Sequence, residues 1–214
     1  MRADERGTAE EGGRKTLRDC QVNQKVSLPA PLRRGEMSLE EAIWKRRSRR
    51  RFRPGPLSLA HIGQLLWAAQ GVTGPTGLRA APSAGAMYPL ELYLCCEEGV
   101  FHYLPDSHAL AKTSALDARG NLARAALGQE FVEEADICIV IGAVFERTTA
   151  RYGDRGARYV HMDAGYASEN VHLQAEALGF GSVSVGAFRD DEVARVLDLE
   201  KGLRPLNMIP VGAG

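Results

Sequence analysis

No stretch of the 214 residues approaches the roughly 20 continuous apolar positions that a membrane-spanning helix needs. Residues 1–19, MRADERGTAEEGGRKTLRD, have no apolar core of the kind a secretory signal requires, and the expectation is a cytoplasmic protein. Cysteine is sparse. Cys20, Cys95, Cys96 and Cys138 show neither a CxxC spacing nor a histidine partner nearby, which argues against a zinc site and against a disulfide framework. Formal net charge is zero, so the general excess of positive charge that marks a nucleic-acid binder is missing. Neither G-x-x-x-x-G-K-[ST] nor G-x-G-x-x-G after a strand occurs, which removes the P-loop and the Rossmann dinucleotide fingerprint.

Against this balance one segment stands out. Ten residues from Trp44, WKRRSRRRFR, hold one lysine, six arginines and a single hydroxyl, Ser48. Charges packed this closely repel one another, so a bound anion explains them, and guanidinium forks suit phosphate through paired hydrogen bonds. A solvated basic face or a nucleic-acid patch is the competing reading of the same residues.

Residues 1–35 are polar, glycine-rich and without periodicity, which predicts a flexible tail ahead of one domain over 36–214. Ser38 with Glu41 fits a capping box, followed by the apolar Leu39, Ala42 and Ile43 of a helix that runs into the arginines. Ser58, then Leu59, Ile62, Leu65, Leu66 and Ala69, closed by Gly71, predicts a second helix. Val72 to Pro89 is rich in Gly, Pro, Ala and Ser and reads as a long ordered loop. LELYLCC from Leu90 and VFHYL from Val100 form a hairpin pattern. DICIVIGAV from Asp136 is apolar enough for a central strand covered on both faces.

Arg155 to Leu178 predicts a long, largely buried helix. Its small residues Ala164, Gly165, Ala167 and Ser168 permit close packing, within the core or across a subunit interface. GFGSVSVG from Gly179 reads as a stop, a short strand and a turn. A helix over Asp190–Leu197 and a strand near Leu206–Val211 complete an α+β pattern without repeats.

Three segments then call for one explanation: the arginine cluster, PSAGAMYPLE from Pro82, and GFGSVSVGAF from Gly179. The first binds anions, and the other two expose backbone amides behind small side chains. The R-R-S-x-R-x-F element at Arg46 to Phe52, the PSAGAMYP loop, the D-A-G segment at Asp163 to Gly165 and the ALGFGSVSVGAF turn together resemble the nitroreductase family of FMN-dependent oxidoreductases. SLEEAIWKRRSRRRF, the PSAGA loop with Tyr88, and RYGDRGARYVHMDAG are similar to its SagB-type dehydrogenase branch, which includes azoline oxidases. The resemblance covers about residues 36–212.

That resemblance implies a central mixed or antiparallel sheet flanked by helices, with the long helix at a dimer interface. It implies that Arg46 and Ser48 contact the FMN phosphate, with Arg47 beside them, and that Arg50 lies near the N1 and O2 edge of the isoalloxazine. Pro82, Ser83, Ala84 and Gly85 match a loop at the flavin supplied by the neighbouring subunit. Ser184, Val185, Gly186 and Ala187 match a turn whose amides approach N5 and O4. The implied reaction takes hydride from NADH or NADPH through flavin N5 to a nitro, quinone or related small-molecule acceptor, in a homodimer with shared flavin sites and no nucleic-acid or membrane partner.

Two alternatives stay open: a SagB-type flavin dehydrogenase or oxidase acting on a C–N or C–C bond, and a flavin-binding protein without turnover. The latter is prompted by the stop at Gly214, where family members continue with a basic group near the phosphate. No catalytic side chain and no metal ligand is assigned; His161, on the long helix, reads as a packing residue.

Overall fold

The computed structural model describes residues 16–53, 55 and 57–214. Its elements run in the order β1 (Lys25–Ser27), α1 (Leu39–Lys45), α2 (Leu59–Gln70), β2 (Leu90–Cys96), β3 (Gly99–Leu104), β4 (Ala109–Ser114), α3 (Arg119–Ala125) and α4 (Phe131–Glu134). They continue as β5 (Ile137–Val144), α5 (Glu146–Tyr152), α6 (Arg155–Ala177), β6 (Phe180–Ser182), α7 (Asp190–Val196) and β7 (Leu203–Ala213). The strands form one sheet in the order β1-β4-β3-β2-β5-β7-β6, and every named neighbour pair is antiparallel. Helices cover both faces, an α+β fold with an antiparallel sheet.

β5 lies at the centre because its side chains are apolar on both sides. Ile137, Ile139 and Ile141 join the core under α2 and α6, while Cys138 and Val140 join a second core with Leu122, Val132, Val193 and Met208. This is the period-2 alternation of a strand buried twice over. Cys95 and Cys138 pair across β2 and β5, and burial pushes both thiols up, so they behave as small core residues.

Both helix starts foreseen from the sequence are capped by their serines, but the box expected of Ser38 and Glu41 is only half formed, the Glu41 carboxylate pairing with Lys45. Ser38 Oγ accepts the Glu41 amide at 3.1 Å, and Ser58 Oγ accepts the His61 amide at 3.2 Å. The reciprocal bond of the second box comes from His61 Nδ1, which accepts the Ser58 amide at 3.3 Å. The apolar residues of α1 behave differently from the expectation. Only Ala42 is buried, and Leu39, Ile43 and Trp44 are exposed, Trp44 by 78%.

Two further expectations are corrected. The flexible tail does not extend over residues 17–28: Leu17, Cys20, Val26 and Leu28 are buried in the main core, and β1 pairs with β4 from Lys25↔Ala111 to Ser27↔Ala109. A three-residue strand carries too little pattern to be read alone; its partner, β4, supplies the reason it is ordered. Residues 1–15 of that predicted tail lie outside the described residues. The long helix is buried on one face only, with Val160, Ala164, Ala167, Val171 and Ala175 inside and His161, Met162, Gly165, Tyr166 and Glu169 exposed.

Val26 is 2% exposed, so Val26→Asp buries an unpaired carboxylate. The expected cost is about 2–3 kcal/mol, read as a lower urea midpoint. An unchanged midpoint would return residues 17–28 to a tail.

Candidate functional site

The arginine segment leaves α1 at Arg46, whose amide still closes the helix on Ala42 O at 2.9 Å but whose backbone is already extended. From there the chain lies along one edge of the sheet. The Arg49 amide donates to Ser182 O at 3.0 Å and the Arg53 amide to Ala213 O at 2.9 Å, with Ser48 bridged in parallel to Ser182. Gly181 makes this approach possible, because a Cβ there would sit 2.7 Å from Arg49 Cδ.

The cations on this edge are only partly neutralised. Lys45 meets Glu41 at 2.6 Å, while Arg46 reaches Glu169 at 3.6 Å and Arg49 reaches Glu176 at 3.7 Å, both on α6. Arg47 Nη1 is turned back onto the carbonyls of Trp44 and Arg46. Arg50 stacks over Phe131 at 6.0 Å from the ring centroid. Among the described residues, Arg47, Arg50, Arg51 and Arg53 form no ion pair. Arg50 also lines an open cleft of about 710 Å³ together with Gln129 and Phe131. Another cavity, of about 590 Å³, is lined by Leu17, Leu57, Ile62 and Ile137 and shares no residue with this cleft.

Beside this edge lies the turn after β6. Val185 is buried and held by a two-way bridge to Met208, at 2.8 and 3.0 Å, while Ser184, Gly186 and Ala187 are exposed. Gln129 Nε2 donates to Ala187 O at 3.1 Å, fixing the far side of the turn. Among the described residues, no protein acceptor meets the Gly186 and Ala187 amides. Exposed amides beside exposed guanidinium groups form a donor surface suited to an anion attached to a polar ring.

Behind the turn is a polar network that the sequence did not single out. His172 Nδ1 lies 2.8 Å from Ser182 Oγ, and its Nε2 lies 2.9 Å from Ser184 Oγ. Asn207 Nδ2 donates to Ser184 Oγ at 3.1 Å and to Ser168 Oγ at 2.8 Å. Two spacings hold the signal: Ser168 and His172 are i, i+4 on α6, and Ser182 and Ser184 are i, i+2 along an extended segment. Burial pushes the His172 imidazole down to about 4, and the positive charge of Arg46 adds to the shift.

The 82–85 loop is organised elsewhere. Gly85, Ala86 and Tyr88 all have positive φ, at 61°, 55° and 45°, a strained run held by surrounding bonds. Ser83 Oγ accepts the Tyr88 amide at 3.0 Å, and Arg147 donates to Tyr88 O at 3.2 Å while pairing with Glu91 at 2.6 Å. Asp163 on α6 backs this loop. Burial raises its pKa against the pull of the Ser83 hydroxyl and the Ala84 amide, and among the described residues its Oδ2 has no hydrogen-bond partner. Asp163 precedes His172 by nine residues, about 14 Å along the helix axis. The arginine edge and the 184–187 turn are therefore together, and among the described residues no hydrogen bond or ion pair joins Pro82, Ser83, Ala84 or Gly85 to them, although Glu169, which Arg46 reaches, lies only six residues beyond Asp163.

A family model described as the nitroreductase family matches residues 43–213, a span that contains all three segments. The chain belongs to the nitroreductase family. A Methanocaldococcus jannaschii protein assigned to the nitroreductases is 45% identical over 183 residues, covering 83% of this chain and 91% of that relative. A solved Ralstonia eutropha structure, also assigned to the nitroreductases, superposes with a TM-score of 0.81 at 29% identity, covering 89% of each chain. The Escherichia coli microcin B17-processing protein McbC is 29% identical over 158 residues, which are 68% of this chain and 58% of McbC. Nitroreductase membership makes the chain an oxidoreductase of a flavin-using family. Among its described residues no helix is long and apolar enough to cross a membrane.

The neutral His172 has a measurable consequence. Its folded pKa of about 4 lies below the ordinary 6.5, so between these values the unfolded chain binds a proton that the folded one does not. Stability therefore rises with pH through this window, by about 3 kcal/mol in all. His172→Gln should flatten the difference in urea stability between pH 4 and pH 6.5; an unaltered slope would show that the imidazole is not buried in its neutral form.

Proposed function

We propose that this nitroreductase-family chain is an FMN-dependent oxidoreductase that works as a homodimer with two shared flavin sites. The observation that carries this reading is the arginine segment fixed along the sheet edge beside the open amides of Gly186 and Ala187. The donor set fits FMN: exposed guanidinium groups and a hydroxyl for a dianionic phosphate, unpaired amides for ring heteroatoms, and small residues where a flat ring must approach.

In this reading Arg46, Arg47 and Ser48 hold the phosphate. Arg50 stabilises negative charge at the N1 and O2 edge of the ring, which raises the reduction potential. The Gly186 and Ala187 amides orient the ring from the turn that Val185 anchors and Ser184 opens. FMN supplies the hydride-accepting and hydride-donating atom, N5, so no side chain of this protein is needed as a nucleophile. NADH or NADPH is the donor, and a nitro compound, quinone or related small molecule is the acceptor.

The second subunit follows from where the 82–85 loop stands. Among the described residues it makes no hydrogen bond or ion pair to the arginine edge of its own chain, and a two-fold partner packed on α6 would bring its own copy of that loop to the flavin. Supporting this are the exposed apolar side chains of two neighbouring helices: Leu39, Ile43 and Trp44 on α1, and Met162 and Tyr166 on α6. A patch of this kind on a soluble chain marks an interface.

The likeness to McbC favours a second reading, in which substrate C–N or C–C bonds are oxidised and oxygen reoxidises the flavin. The two readings differ in the donor.

Protein loaded with FMN should be yellow and should bleach anaerobically with NADH or NADPH; colour that survives both donors favours the second reading. Arg50→Ala should lower the flavin midpoint potential more than Arg46→Ala does, while Arg46→Ala should weaken FMN binding by about tenfold or more. Equal potentials in the two variants would remove the role given to Arg50. Met162→Glu with Tyr166→Glu should convert a dimer to a monomer in sedimentation velocity and reduce FMN binding; a variant that stays dimeric would place the interface elsewhere.

A further inference from the structure

The network behind the 184–187 turn determines which way one exposed proton points. Ser168 Oγ donates to Ala164 O at 2.7 Å, so it can only accept from Asn207, and this fixes the amide nitrogen of Asn207 toward Ser168 and Ser184. One lone pair of Ser184 Oγ is thereby filled. Ser182 is buried, and among the described residues its hydroxyl has one polar partner, His172 Nδ1 at 2.8 Å. If Nδ1 carried the ring proton, the Ser182 hydroxyl hydrogen would be buried without an acceptor, a cost of about 1–3 kcal/mol. The arrangement that satisfies every buried donor has Ser182 donating to Nδ1 and the ring proton on Nε2, 2.9 Å from Ser184 Oγ. His172 then fills the second lone pair of Ser184, whose own proton is left facing outward from an exposed position.

We propose that the Ser184 hydroxyl is a directed hydrogen-bond donor to the isoalloxazine ring, aimed by His172 and Asn207 as positioning residues. This rests on the flavin reading above, which puts the 184–187 turn against the ring. A hydroxyl free to rotate would offer a lone pair as readily as a proton; one whose lone pairs are filled offers only the proton. Aimed at a ring carbonyl oxygen, whose electron density rises on reduction, such a donor favours the reduced ring over the oxidised one. The arrangement also requires a neutral imidazole, because a protonated ring cannot accept from Ser182, and the burial of His172 keeps it neutral.

Two measurements test this. In the protein without flavin at pH 7, long-range ¹⁵N–¹H spectra of His172, assigned by their loss in His172→Gln, should show the proton on Nε2. A proton on Nδ1 would overturn the proposal. In the FMN-loaded protein, Ser184→Ala should bind reduced flavin about tenfold less tightly relative to oxidised flavin, a drop of ~30 mV for a two-electron couple. Ser184→Thr should retain the potential. Asn207→Leu should give part of the drop in the parent protein and none beyond it in the Ser184→Ala background. Parent protein that holds FMN while Ser184→Ala leaves its potential unchanged, or losses that add in the double variant, would overturn this proposal alone. Parent protein that holds no FMN would overturn it together with the flavin reading.

Discussion

Two backbone hydrogen bonds, from the Arg49 amide to Ser182 O and from the Arg53 amide to Ala213 O, turn a run of mutually repelling cations into a surface with fixed geometry. Without them the segment after α1 would have little to hold it against the sheet, since repulsion keeps its side chains apart and few of them meet a carboxylate. The edge strand β6 is short, and Gly181 removes the Cβ that would hold the segment away from it. Both the arginines and the turn after β6 therefore take their positions from the same edge, itself anchored through β7 on the doubly buried β5.

The electrostatics follow from this placement. Zero net charge over the chain conceals a local excess that two carboxylates of α6, Glu169 and Glu176, offset only at long range. Their long contacts to Arg46 and Arg49 restrain those side chains while leaving donors available to an anion, and the more exposed pair, Arg46 with Glu169, contributes little to stability. His172 lies inside the same positive field and stays neutral, so it adds polarity to the site without adding charge.

Much of this was legible in local sequence. The two N-caps, the central strand and the hairpin each follow from residues within a few positions of one another, and the anion-binding character of the arginines follows from their chemistry alone. What was not legible depends on distant partners. β1 is three residues long and is held by its pairing with β4 and by the burial of Val26 and Leu28 in the core. α1 carries an apolar stripe that suggests burial, and the chain leaves Leu39 and Ile43 exposed. The His172, Ser182, Ser184 and Asn207 network draws on α6, β6, the turn beyond it and β7, and no single stretch announces it. Asp163 lay within a quoted motif, yet its role beneath the 82–85 loop emerges only from packing.

The central claim is that the guanidinium edge holds the phosphate of a flavin. Isothermal titration of the same protein with FMN and with riboflavin, which differ by that phosphate alone, tests it most directly. The account predicts FMN binding at least about 100-fold tighter, with the advantage shrinking as salt is raised. Equal affinity for the two, or an FMN preference indifferent to salt, would contradict it.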